Sequence, residues 1–166
     1  VGPVTFPFKW KATAMKNLNE LFVHTLKDVL FAERQMIKNL PKMAQEAQSA
    51  ELKQAFEHHL QETEGQVQRL ERVFELVGKA PRAVTCEAMQ GLVDEAKEVI
   101  EEADTGPVKD AGLIASGQAI EHYEIARYGT LKAWAADLGL DEAVTLLDQT
   151  LTEEKNADAL LSKLAT

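Results

Sequence analysis

The stretch LFVHTLKDVLFAERQMIKNL, residues 21–40, repeats apolar residues at intervals of three and four. Such spacing places them on one face of an α-helix, which turns once in 3.6 residues. Five residues carry the pattern: Phe22, Leu26, Val29, Met36 and Leu40. Glu33 falls on the same face, between Val29 and Met36. The stretch therefore predicts a long helix that buries one acid along with its apolar side chains.

The same periodicity, interrupted by few breakers, predicts five helical stretches and no strand. The five cover residues 16–48, 50–77, 85–103, 109–138 and 141–164. Ser49 and Asp141 are suited to cap the helices beside them, and Gly78 is suited to end the second helix. Pro41 is expected to kink the first helix or to end its first part, because proline lacks a backbone donor and clashes with the preceding turn.

Two long helical hairpins, joined by a connection with its own short helix, predict an all-α, ferritin-like four-helix bundle. Ferritin-like folds use two antiparallel pairs and one long crossover, and the helix at 85–103 would lie in that crossover. Residues 15–166 would form this single domain. Residues 1–14 lack helical periodicity, and Met15 looks like a natural start. We interpret 1–14 as an extension, native or artificial, outside the bundle.

The composition favours a globular helical protein and narrows its partners. The 166-residue chain is 45% hydrophobic and 27% charged, with a formal net charge of -9. This charge, without a cluster of Lys and Arg, argues against binding to nucleic acid or to an anionic membrane surface. No apolar run is long enough to span a bilayer. The single cysteine, Cys86, cannot form an internal disulfide, which fits a reducing cytoplasm.

Each of the four long helices carries an acid on its apolar face. The candidate residues are Glu33 on the first helix, His59 and Glu62 on the second, Glu121 and Glu124 on the fourth, and Glu154 and Asp158 on the last. Counted from the turn of each hairpin, they lie at similar heights near mid-length. Four carboxylates in one dry layer would repel each other strongly even at an effective dielectric constant of about 20. Divalent cations or shared protons would relieve that repulsion.

Purely structural interpretations of these acids stay open at this point. Glu33, Glu62 or Glu154, taken singly, fits a boundary residue whose carboxylate reaches water. Glu121 and Glu124 together fit a flank that faces the crossover helix. The coincidence of acids on four helices favours the shared layer over these separate explanations.

The histidines and the cysteine can likewise be interpreted either as structural residues or as functional ones. His59 alone fits a hydrogen-bonded residue at the edge of the core, and its place on an acid-bearing face makes it a candidate ligand. His24, His58 and His122 adjoin less apolar faces and are expected at the surface. Cys86 has no evident base beside it and is expected to pack in the interior.

Several short runs in a fixed order resemble the YciF-type ferritin-like proteins. They are KNL at 16–18, LKD at 26–28, AERQ at 32–35, HL at 59–60, ETE at 62–64, RLE at 69–71, CEAMQGL at 86–92 and EEK at 153–155. The resemblance covers nearly everything from Met15 onward. It implies a ferritin-like bundle, a bacterial origin and an association with stress response.

The resemblance also implies a ligand pattern, which this chain follows only in part. Ferritin-like dimetal sites use one Glu from each of two helices and a Glu-x-x-His motif from each of the others. Glu33 and Glu121 match, and Glu124 adds a further carboxylate. The two histidines are missing, because Gly65 and Ala157 stand where they would follow Glu62 and Glu154. His59 and Asp158 are the nearest substitutes.

The implied function is a cytoplasmic dimetal carboxylate protein that handles oxygen or peroxide, similar to rubrerythrins and manganese catalases. Two divalent ions are expected, with iron or manganese favoured and magnesium, calcium or an empty site left open. The protein is expected to form a homodimer and to receive electrons from a donor protein, since it lacks a cysteine-rich iron site. The alternative is a non-catalytic helical scaffold or stress adaptor, which the missing histidines favour.

Overall fold

The computed structural model of the protein describes residues 15–165, so the interpretation of residues 1–14 lies outside its range. The described chain forms five helices and no strand. They are α1 (Leu18–Glu46), α2 (Ala50–Leu76), α3 (Glu87–Glu102), α4 (Pro107–Asp137) and α5 (Asp141–Leu164). The all-helical prediction is confirmed, and the helix ends differ from the predicted ones by two residues at most.

Local signals explain most of the helix ends. The Ser49 side chain accepts a hydrogen bond from the Leu52 amide at 3.3 Å, as predicted for the N-cap of α2. Gly78, just after α2, has a φ of 67°, which suits glycine at a helix end. The prediction for Asp141 is wrong, because Leu140 takes the N-cap position without a side-chain bond. Asp141 is instead the first residue of α5, where its negative charge interacts favourably with the positive end of the helix dipole.

The two prolines that lie within described helices behave differently from each other. Pro41 lies inside α1, which continues to Glu46, so the expectation that Pro41 ends the first part of the helix is wrong. Met43 and Ala44, beyond the proline, are buried in the core. Their packing holds the helix together despite the lost hydrogen bond. Pro107 occupies the first turn of α4, where no intrahelical donor is needed.

The helices pair as two antiparallel hairpins, α1 with α2 and α4 with α5. Two seams join the hairpins, one between α1 and α4 and one between α2 and α5. The crossover helix α3 packs on α4 and α1, so it covers the outside of the α1–α4 seam. This is the predicted ferritin-like layout.

The core consists of two apolar halves with a polar layer between them. One half surrounds Phe22, Leu70, Phe74 and Leu131. The other surrounds Met36, Phe56 and Leu113 and includes α3 through Met89 and Val93. The residues between them are His59 from α2, Glu33 from α1, Glu121 and Glu124 from α4, and Glu154 from α5, which we call the carboxylate layer. Each of these five side chains is buried.

Candidate metal centre

Four members of the carboxylate layer form a group with the dimensions of a metal site. His59, Glu121, Glu124 and Glu154 each offer one ligand atom, and these atoms lie within 4.8 Å of one another. All four residues are buried, so bulk water screens their charges only weakly. Like-charged carboxylates this close cannot all stay ionised in a dry core without a counter-charge.

His59 is the nitrogen donor of the group, and Glu62 holds its ring. The Nδ1 atom of His59 lies 3.2 Å from Oε2 of Glu62, one turn further along α2. The Nε2 atom points inward, 3.2 Å from Oε1 of Glu121 and 3.6 Å from Oε2 of Glu154. Burial lowers the pKa of His59, but the bond to Glu62 and the charge of Glu154 outweigh burial, and the net shift is upward. A carboxylate on one ring nitrogen that frees the other is typical of metal-binding histidines.

Glu33 enters the layer from the α1–α4 seam, where Tyr128 fixes its position. The Tyr128 hydroxyl donates a hydrogen bond to Oε1 of Glu33, and neither side chain is exposed. Burial, and then the nearby Glu154, raise the pKa of Glu33 well above its usual value. Burial, followed by the Glu33 charge, likewise raises the pKa of Tyr128. Tyr128 therefore stays a neutral donor to Glu33.

The two carboxylates from α4, Glu121 and Glu124, also have raised pKa values. Burial raises the pKa of Glu121, and hydrogen bonding to Glu154 raises it further. Burial also raises the pKa of Glu124, helped by the charges of Glu33 and Glu154. The layer therefore retains protons at a pH at which exposed glutamates have lost them, unless cations replace the protons.

The layer also contains polar atoms without partners. With the carboxylates ionised, seven buried side-chain atoms among the described residues have no hydrogen-bond partner: Glu33 Oε2, His59 Nε2, Gln66 Oε1, Glu121 Oε2, both carboxylate oxygens of Glu124, and Glu154 Oε2. All seven belong to the layer or adjoin it. Buried polar atoms normally have partners, so a concentration of unpaired acceptors needs an explanation. Oxygen atoms with one imidazole nitrogen are a donor set that suits divalent cations such as manganese or iron.

Two of the candidate residues from the sequence lie away from the group. Glu62 is half-buried and touches the layer only through His59. Asp158 is turned toward the outer edge between α4 and α5, where its Oδ1 lies 3.4 Å from His122 Nδ1 and 3.3 Å from Gln118 Nε2. Glu121 and Glu124 face the layer rather than the crossover helix.

The remaining candidates occupy the positions expected from their neighbours. The side chains of His24, His58 and His122 are mostly exposed. Cys86 is buried at the start of α3, and its Sγ atom lies 3.0 Å from the Tyr123 hydroxyl. None of the four belongs to the carboxylate layer.

Sequence reasoning missed the polar residues that support the layer from α2. Gln66 is fully buried, and its Nε2 donates to Glu154 Oε1 and, at 3.2 Å, to Glu153 Oε2. Arg69 binds Glu153 through Nη2 and donates from Nε to the Thr150 hydroxyl at 2.9 Å. Gln66 lies seven residues after His59, two helical turns on the same face, and that spacing was a usable signal.

Comparison with known proteins places the chain among bacterial relatives. The family described as domain of unknown function DUF892 matches residues 17–166. Protein YciF of Escherichia coli strain K12 is 45% identical over 152 residues, which make up 91% of this chain and 92% of YciF. The crystal structure of the E. coli stress protein YciF has a TM-score of 0.88, and the match covers 91% of this chain and 96% of that one.

Two further solved structures add information on the fold. A Rhodopseudomonas palustris protein called YcfI, described as a structural protein, is 44% identical with a TM-score of 0.88, over 91% of this chain and 96% of that one. A ferritin-like, diiron-carboxylate protein from Bacillus anthracis has a TM-score of 0.71 at 19% identity, over 92% of this chain and 100% of that one. The second likeness shows the ferritin-like fold alone. No helix in the described range is long and apolar enough to cross a membrane.

Proposed function

This chain belongs to the DUF892 family, in agreement with its resemblance to YciF-type proteins, and on that premise we propose that its carboxylate layer binds two divalent metal ions. Glu33, His59, Glu121, Glu124 and Glu154 would hold them. We propose iron or manganese as the natural ions and oxygen or peroxide species as the molecules acted upon, in a bacterial stress response. Such ions, when bound, supply one-electron chemistry and bind oxygen-containing ligands.

The observation that carries the proposal is the set of seven unpaired buried atoms on or beside the layer. A purely structural core would fill this space with apolar side chains, because burying polar atoms without partners costs free energy. Divalent cations would give the oxygens partners and remove the repulsion between them. The donor set has one imidazole and is rich in oxygen, which suits manganese or iron better than a soft ion.

Side chains around the layer hold the proposed ligands in place. Glu62 keeps His59 turned so that Nε2 faces inward. Tyr128 binds one oxygen of Glu33 and leaves the other free. Gln66 does the same for Glu154. Partners of this kind fix ligand orientation before any ion binds, and their loss typically weakens metal affinity about 10–100-fold.

We further propose that the protein is a cytoplasmic homodimer that receives electrons from another protein. The single, buried cysteine supports a reducing compartment. It also leaves no cysteine-rich iron site in this chain, so electrons would arrive from a donor. Closed two-fold pairing is the commonest form of self-assembly. Light scattering at micromolar concentration tests the dimer, and a monomeric mass would remove it.

A non-catalytic scaffold or stress adaptor remains the second candidate. The absence of histidine at Gly65 and Ala157 favours it, because the layer then lacks half of the usual nitrogen donors. The relative from R. palustris is described as a structural protein. Metal analysis of protein isolated from its native host separates the two candidates, since a scaffold would carry no stoichiometric iron or manganese.

The direct test is Glu121→Ala, with Glu64→Ala on the exposed face of α2 as the matched control. Calorimetric titration with Mn²⁺ should show at least about a 100-fold loss of affinity for Glu121→Ala, since a ligand matters more than its supporting residues. Glu64→Ala should bind as the wild type does. In chelator, Glu121→Ala should stay folded and melt at the same temperature or higher, because one repelling charge is gone. Unchanged Mn²⁺ affinity would exclude Glu121 as a ligand.

A further inference from the structure

A cleft on the α2–α5 seam leads from the surface to the carboxylate layer. Its volume is about 180 Å³, and His59 and Glu121 form its inner end. Its mouth is bordered by His58, Glu62 and Asn156. The cleft is thus an opening in the described bundle through which a small molecule can reach two members of the layer.

The cleft exists because small residues face each other across the seam. Ala55 on α2 and Ala157 on α5 both line it, where larger side chains would close the gap. Further along the same seam, the helices are bridged by polar contacts: Gln66 to Glu153, and Arg69 to Thr150. The seam is therefore closed on one side of the layer and open on the other.

The walls of the cleft are mainly apolar. Phe56 and Leu161 form its deep side, and Leu160 stands at the rim. Leu160 is 39% exposed, so part of its apolar side chain is available to a ligand at the rim. A cavity of about 150 Å³ with apolar walls holds a molecule as large as benzene. Water or hydrogen peroxide alone would leave these walls uncovered by any apolar group.

We propose that this cleft binds small organic hydroperoxides. This inference rests on the proposed function, since it names the peroxide class that the same site would receive. The alkyl group lies against Phe56, Leu160 and Leu161, and the hydroperoxy group points toward His59 and Glu121. Burial of the alkyl group supplies the affinity, and the polar inner end sets the orientation.

Charge at the cleft disfavours an anionic ligand. An anion at the inner end would meet Glu121, with Glu154 just behind His59. At the mouth, Glu62 is already engaged by His58 at 3.2 Å and His59 at 3.2 Å. A hydroperoxide carries no charge, and it can donate one hydrogen bond and accept others.

The experiment uses the full chain in chelator, with tert-butyl hydroperoxide as the probe and amide signals in nuclear magnetic resonance spectra as the readout. The probe should shift signals of residues 55–62 and 156–161, and tert-butanol, which keeps the alkyl group, should shift the same ones. Hydrogen peroxide at equal concentration should not. Ala157→Leu, which fills the cleft, should weaken binding at least about tenfold. Ala159→Leu, the same change on the exposed face of α5, should stay within about twofold of wild type.

A second pair of variants avoids any question of folding. Leu160→Ser removes an apolar wall that is already partly exposed and should weaken binding of both organic probes. Val108→Ser, at another exposed apolar residue outside the cleft, should not. Equal binding by wild type and Ala157→Leu, or shifts elsewhere in the molecule, would overturn the proposal.

A manganese titration of the same proteins keeps the two proposals apart. Ala157→Leu should bind Mn²⁺ with wild-type affinity, since it leaves the layer intact. If the wild type binds the organic probes but not Mn²⁺, the proposed metal site is refuted and the proposed ligand of the cleft stands. Mn²⁺ binding without probe binding would refute the cleft ligand alone. Slower Mn²⁺ uptake by Ala157→Leu, with no probe binding in the wild type, would instead make the cleft an entry path for the ion.

Discussion

The α1–α4 seam and the α2–α5 seam meet the same carboxylate layer under different conditions. On the α1–α4 side, Glu33 and Tyr128 are fully buried and α3 packs over the outside. On the α2–α5 side, contacts run outward from His59 through the half-buried Glu62 to the exposed His58, beside an open cleft. The α1–α4 seam is covered, and the α2–α5 seam carries the open cleft.

The largest expected effect is the pH dependence of the stability of the metal-free protein, which tests the burial of the carboxylate layer. Glu33, Glu121 and Glu124 have pKa values raised above 4.5 in the folded state, so the folded protein holds protons that the unfolded chain releases. Stability should therefore be highest near pH 4.5 and fall as pH rises toward the raised values. The slope should be about 1.4 kcal/mol per pH unit for each retained proton. Urea denaturation in chelator between pH 5 and about pH 8 measures it.

Two comparisons sharpen this result. Glu124→Gln should flatten the slope, while Glu64→Gln, on the exposed face of α2, should leave it as it is. Saturating Mn²⁺ should reverse the sign, because the ions displace the protons and bind better as pH rises. A metal-free protein whose stability rises over this range would contradict the burial of the three carboxylates.

The cover over the α1–α4 seam can be tested by truncation. Met89 on α3 is fully buried in the core, so Met89→Ala should cost about 2–5 kcal/mol of unfolding free energy. Leu160→Ala, on the open seam, should cost less than about 1 kcal/mol because that side chain is already 39% exposed. Chemical denaturation of the two variants compares them directly, and equal losses would mean that α3 is not part of the cooperative core.

The hydrogen bond inside the α1–α4 seam should have a smaller but measurable effect. Tyr128→Phe removes the donor to Glu33 and leaves a buried oxygen without a partner, at a cost of about 1–3 kcal/mol. Tyr123→Phe on the same helix is the comparison, since its hydroxyl is only half-buried and contacts the weakly bonding thiol of Cys86 and the Arg127 side chain. Its cost should be clearly lower. Chemical denaturation measures both costs. A larger loss of unfolding free energy for Tyr123→Phe than for Tyr128→Phe would contradict the role given to the Tyr128 hydrogen bond.

The smallest effect is expected at the exposed end of the α2–α5 seam. Arg72 donates from Nε to Glu142 at 2.8 Å, but about half of each side chain is exposed. Exposed pairs of this kind contribute little and are screened by salt. Arg72→Gln should leave the melting temperature unchanged at high salt. Arg69→Gln, which removes a half-buried contact to Glu153, should lower it under the same conditions.

The sequence predicted much of the fold because helix periodicity is a local property. The stripe through Phe22, Leu26 and Val29 required no knowledge of the partner helices, and the Ser49 cap depended on three neighbouring residues. The local rule that proline ends a helix failed at Pro41, because the burial of Met43 and Ala44 outweighed one missing hydrogen bond. Tertiary packing decided that case.

For the candidate site, the sequence indicated inward-facing residues but not their arrangement. Shared faces indicated Glu33, His59, Glu121, Glu124 and Glu154 as inward-facing side chains. Asp158 is one turn from Glu154 yet faces Gln118 and His122, because successive turns of a helix are offset by about 40° and the neighbouring helix decides which side is the interior. The rotation of α5 relative to its neighbouring helices cannot be predicted from a local sequence pattern.

The sequence by itself determined the helices, their order and the placement of acids on apolar stripes. Only the tertiary structure decided which atoms meet: Tyr128 with Glu33, Gln66 with Glu154, and the alanines that leave a cleft beside His59. The physical reason is distance along the chain. Residues 95 positions apart, such as Tyr128 and Glu33, come into contact only after the hairpins pack, and the relative rotation of packed helices is set by all their contacts together.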